Sequence, residues 1–79
     1  MNIAIVAITN DIGAEGKVME SMSNIPAVRE CYMVYGVYDV VARVQASNEE
    51  ELKITIASIR DLPGVRSTLT LVVCKEHKK

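Results

Sequence analysis

Apolar positions along this chain change period several times, and each change marks an element. Residues 3–9 are a continuous run of small and β-branched side chains, with Ile3, Ile5 and Ala7 on one face of a strand and Ala4, Val6 and Ile8 on the other, so both faces need cover. Asn10-Asp11-Ile12-Gly13 reads as a turn into a helix over about residues 14–23. Val18 and Met22 stand at i, i+4 spacing there, with Ile25 one step further, and Asn24-Ile25-Pro26 ends the helix. Residues 28–35 form a second strand, and Gly36 opens a short connection to a third over 40–45, an antiparallel hairpin. Ser47-Asn48-Glu49-Glu50-Glu51 is a helix start: Asn48 caps, Glu51 reaches back, and three carboxylates suit the positive helix end. This second helix runs to about residue 60 with Leu52, Ile56 and Ile59 toward the sheet. Asp61-Leu62-Pro63-Gly64 breaks it before a last strand that reaches about residue 75.

The pattern is also repeated. Ile25-Pro26-Ala27-Val28-Arg29 is echoed by Leu62-Pro63-Gly64-Val65-Arg66, 37 positions downstream (62 minus 25), and the same offset pairs Ile3 with Val40, Ile5 with Ala42 and Ala7 with Val44. Two βαβ halves with right-handed crossovers give βαββαβ, an α+β ferredoxin-like fold whose antiparallel sheet has the order 4-1-3-2. Both helices then cover one face of the sheet. The other face is assigned Ala4, Val6 and Ile8 at its centre, and its apolar character calls for a second sheet packed on it, most simply in a two-fold dimer. Cys31 and Cys74 fall on opposite edges in this order, too far apart for an intrachain disulfide.

Composition agrees with that picture. The 79 residues form one domain, and a chain this short buries only about 60% of its unfolded surface alone. Yet 49% of residues are hydrophobic while only three are aromatic, all Tyr, which favours oligomerisation over metal or disulfide staples. A net charge of −1 removes the long-range field that gathers DNA or RNA. The apolar N-terminal run, from Met1, lacks a basic start and is too short to cross a bilayer, so it reads as a strand, and two cysteines outside any disulfide framework or CxxC motif point to a reduced cytoplasmic compartment. The basic tail around Lys75, Lys78 and Lys79 is a solvated terminus.

Candidate chemistry is sparse. His77 in the tail is the only histidine, so no nucleophilic triad or metal cluster assembles around it, and no cofactor motif is present. Gly13-Ala14-Glu15-Gly16 lacks the ending of a phosphate loop. What remains is Gly36-Val37-Tyr38-Asp39, at the junction of the two halves. It is either a turn glycine with an Asx cap, or an Asp placed to accept hydrogen bonds from a ligand ammonium beside an amphipathic wall of Tyr38 or Tyr35. Thr68 and Thr70 share one face of the last strand and read either as ordinary strand residues or as a hydroxyl pair lining a polar site at a subunit seam.

Taken together, Ile25-Pro26-Ala27-Val28, Gly36-Val37-Tyr38-Asp39, Leu62-Pro63-Gly64-Val65 and Thr68-Leu69-Thr70-Leu71-Val72-Val73 resemble the regulatory domain of the Lrp/AsnC (feast/famine) transcription regulators over nearly the whole chain. The resemblance implies dimers formed through the sheets, rings of eight or ten subunits, and small amino acid effectors bound at seams between dimers. Gly36, Tyr38 and Asp39 would belong to the hairpin part of that pocket, and Thr68 and Thr70 to its strand part. The chain starts at its first strand without the helix-turn-helix domain that the family usually carries. It therefore reads as a stand-alone, non-enzymatic sensor that co-assembles with full-length regulators. Two rival readings are a purely structural assembly module and a dimeric α+β barrel oxygenase or isomerase, for which Arg43 is the one ionisable group available inside the sheet cavity.

Overall fold

The computed structural model describes residues 2–79; Met1, the first residue of the apolar N-terminal run, lies outside the described residues. The elements run β1 (Asn2–Asn10), α1 (Glu15–Ser23), β2 (Val28–Met33), β3 (Val40–Ala46), α2 (Glu49–Arg60) and β4 (Val65–Val72). One antiparallel sheet has the order β2-β3-β1-β4, which is the expected 4-1-3-2 read from the other edge. The duplication survives in three dimensions. Val28 and Val65, repeat mates at 37 residues, each adjoin a register shift in their strand's pairing.

Local chemistry accounts for the boundaries. Asn48 has extended backbone and its side-chain oxygen accepts from the Glu51 N–H at 2.8 Å, a cap that satisfies one of the unpaired amides of α2. Gly64 takes φ +90°, and a Cβ there would meet the Ala14 Cβ at 3.2 Å, so the turn before β4 admits only glycine without strain. β2 and β4 are shorter than expected, ending at Met33 and Val72. Past Met33 the backbone bends at Tyr35, Gly36 and Val37, and beyond Val72 the Val73 N–H is bonded to the Ile3 carbonyl of β1 at 2.8 Å.

The core lies between the helices and one sheet face. Ala4, Val6 and Ile8 of β1 and Val40, Ala42, Val44 and Ala46 of β3 pack there against Val18 and Met22 of α1 and Leu52 and Ile59 of α2. This reverses the expected assignment of the β1 faces. Ala4, Val6 and Ile8 lie under the helices, and Ile3, Ile5 and Ala7 belong to the helix-free face. The registers give the reason: Ile5 is the partner of Arg43 and Ala7 of Val41, so these share a face with the side chains of β3 that are not in the core.

The helix-free face is still apolar. Leu69 and Leu71 of β4 stand across from Ala7 and Ile5, and Tyr32 of β2 is opposite Val41. Leu71 is 55% exposed and Tyr32 54%. Near the centre Arg43 meets Glu30 at 3.9 Å, so this cation already has a carboxylate beside it. Cys31 on edge strand β2 and Cys74 just past edge strand β4 are free thiols. Among the described residues no helix is long and apolar enough to cross a membrane.

Candidate functional site

The hairpin between β2 and β3 closes against the end of β1. Asp39 is the anchor: its N–H donates to the Ile8 carbonyl at 2.9 Å, its carbonyl accepts from the Val34 N–H at 2.9 Å, and its Oδ2 accepts from the Asn10 N–H at 2.9 Å. A half-buried carboxylate is thereby held at one corner of the sheet. Gly36, at φ +133°, lies in a backbone region that side chains rarely enter, and this lets the hairpin reverse with Tyr35 and Val37 projecting outward. Tyr35 is fully exposed at 106%, whereas Tyr38 is half-buried.

Asn10 is the residue that sequence reasoning passed over as a turn former. It is only 6% exposed, and its Nδ2 donates to the Asp11 carbonyl at 2.8 Å and to Glu15 Oε1 at 2.9 Å. Asn10 thus ties the hairpin to the start of α1, with its backbone on Asp39 and its side chain on Glu15. Its Oδ1 is buried with no hydrogen-bond partner among the described residues. A polar residue closing an apolar strand was the available signal. The same corner is bound to the second half through the Asp11 N–H, which donates to the Gly64 carbonyl at 2.8 Å, and through Arg66, 3.9 Å from Asp11.

Thr68 and Thr70 do share a face, as their spacing requires, but it is the helix side of the sheet. They stand across from Ile8 and Val6, both fully buried beneath the helices. Thr70 Oγ1 is buried and unpartnered among the described residues. At the sheet corner the polar surface of the helix-free face comes instead from Thr9 and Ser67, opposite each other and hydrogen-bonded through their hydroxyls. A single copy therefore brings Gly36, Tyr38 and Asp39 together, leaves Tyr35 at the hairpin tip, and holds the Thr pair on the far side of edge strand β4. The four main grooves among the described residues are lined by other side chains than these six. Chemically, the corner offers one fixed carboxylate and an open backbone turn. That arrangement can bind a cation, and among the described residues no group of three or more acidic, Cys or His side chains could hold a metal.

The family model for the Lrp/AsnC ligand binding domain matches residues 3–79. The chain is 31% identical over 77 residues to the HTH-type transcriptional regulator FL11 of Pyrococcus horikoshii, covering 98% of this chain and 51% of FL11. It spans about half the length of the transcriptional regulators it matches. A 59-residue stretch, 75% of this chain, is also 44% identical to part of a homocitrate synthase of Saccharolobus islandicus, where it covers 13% of the enzyme. Among solved structures, TTHA0845 of Thermus thermophilus superposes with a TM-score of 0.92 at 32% identity, each chain covered completely.

Proposed function

The chain belongs to the Lrp/AsnC ligand-binding domain family, and on that premise we propose that it is a non-enzymatic cytoplasmic module that senses a small amino acid. The observation that carries this reading is the Asp39 carboxylate, half-buried and pinned by the Asn10 N–H at the hairpin corner. A carboxylate held in place costs little further ordering when it receives an ammonium, and such charge-assisted bonds are the stronger class. The α-carboxylate of the same ligand requires donors, for which backbone amides at Gly36 and the Thr68 hydroxyl are the candidates, with Tyr38 and Tyr35 as the wall; the Thr70 hydroxyl, buried in the single copy, reaches a ligand only if β4 shifts on assembly. A second dimer supplies what one copy lacks, so the pocket is a seam in a ring of eight or ten subunits. Full-length Lrp/AsnC regulators are the proposed partners, and binding to nucleic acid is theirs rather than this domain's.

The dimer within that ring forms through the helix-free face. Apolar side chains on three of its strands, including Leu69, Leu71, Tyr32 and Val41, are left uncovered by the helices, and a contiguous exposed apolar face marks an interaction surface. The test is titration calorimetry of the full chain with each standard amino acid, alongside mass by light scattering. Saturable binding that shifts the oligomer supports the reading; an intact oligomer that binds none of them overturns sensing.

A further inference from the structure

At the end of the sheet opposite the hairpin, the α1–β2 and β3–α2 connections border a groove of about 250 Å³ lined by Arg29, Gln45, Ser47 and Glu51. It lies below the roughly 300–1,000 Å³ of pockets for drug-sized ligands, a size for a very small molecule. The internal repeat explains why a cation is free there. Arg66, the mate of Arg29 at 37 residues, is 3.9 Å from Asp11. The position 37 residues after Asp11 is Asn48, which is neutral and whose side-chain oxygen is committed to capping α2. The arginine is thus present in both halves of the repeat, and the acid in only one. Among the described residues, neither Arg29 nor Glu51 forms an ion pair, although both line the same groove.

We propose that this groove is a second small-ligand site, distinct from the hairpin corner, and that it takes a zwitterion of amino-acid type. Arg29 receives the carboxylate with the Ser47 hydroxyl beside it, and Glu51 receives the ammonium. A simple anion would meet Glu51 unfavourably, and a simple cation would meet Arg29, so only a molecule carrying both charges suits the pair. The site does not depend on Asp39 or on any seam between dimers.

Amide NMR of the labelled full chain, titrated with glycine, acetate and methylammonium in separate experiments, tests this. Glycine is expected to shift the amides of Ala27, Arg29, Gln45 and Ser47 saturably, with acetate weaker and methylammonium without effect. Arg29→Gln should weaken the glycine response of these amides by about tenfold or more, the usual cost of a bond to a charged group. Arg29→Lys should restore part of it, and Asp39→Asn should leave it unchanged. Absence of saturable shifts at these amides overturns the site, as does an Arg29→Gln protein that responds like wild type. Equal binding of acetate and glycine overturns the zwitterion and leaves Glu51 without a role. A glycine response at Gly36 and Asp39 alone also overturns this site while leaving the hairpin reading standing.

Discussion

Replacing Leu71 with Asp should break the proposed sheet-to-sheet dimer, and the size of the effect follows from its surroundings. Leu71 sits on the helix-free face opposite Ile5 and is 55% exposed in the single chain. Complete burial of a leucine side chain contributes about 1.5–3 kcal/mol, so the exposed half has about 1 kcal/mol still to give, and a two-fold interface uses it twice. Leu71→Ala therefore costs about 2 kcal/mol of dimer stability, roughly thirtyfold in Kd. Leu71→Asp loses the same area and in addition buries two carboxylates. The nearest cation in that row is Arg43, two strands away and already beside Glu30. At a few kcal/mol for each unpaired buried charge, the total exceeds about 4 kcal/mol, at least about a thousandfold in Kd. Sedimentation equilibrium across the micromolar range reads this directly. Ile54→Asp is the control, because Ile54 is 60% exposed on α2, outside the sheet face, and should leave the mass unchanged. A Leu71→Asp protein that keeps the wild-type mass, or an Ile54→Asp protein that loses it, refutes the assignment of the dimer face.

Three further outcomes are expected. Asn10→Ala removes two side-chain hydrogen bonds, one of them to the Glu15 carboxylate, and relieves the orphaned Oδ1, so thermal unfolding should show a net loss of about 1–2 kcal/mol. In a domain of this size that lowers Tm by about 5–15 °C. Gly64→Ala forces a side chain into positive φ and against the Ala14 Cβ at 3.2 Å, and chemical denaturation should find a loss of about 1–3 kcal/mol, whereas Gly16→Ala, with open space around its Cβ and no positive φ, should be neutral or stabilising. Asn48→Ala removes the cap on Glu51 and should cost about 1 kcal/mol by the same measurement.

The order of strands was legible because the 37-residue repeat and the crossover rule leave few topologies, and both helix stripes, Val18 with Met22 and Leu52 with Ile59, are buried as their spacing requires. The faces of β1 were not legible from β1 itself. Every position from Ile3 to Ile8 is apolar, so alternation within the strand carries no sign. The sign sits in β3, where Val41-Ala42-Arg43-Val44-Gln45 alternates clearly, and it reaches β1 only through the pairing of Ile5 with Arg43. The hairpin was recognisable from Gly36 and Asp39. The clasp that fixes Asp39 was not, because it runs through the backbone N–H of Asn10, a group every residue other than proline would possess at that position. The facing of Thr68 and Thr70 under the helices follows from the β1 register and had the same hidden origin.

Asp39 is proposed to receive the ammonium of a small amino acid, and calorimetry of wild type, Asp39→Ala and Asp39→Asn against each standard amino acid checks this, since Asn keeps an acceptor for the Asn10 N–H and removes only the charge. At least one amino acid should bind the wild type, and both variants should weaken it by about 1.5–3 kcal/mol, tenfold or more, with the oligomer unchanged. Binding that survives in Asp39→Asn at wild-type affinity would contradict the claim.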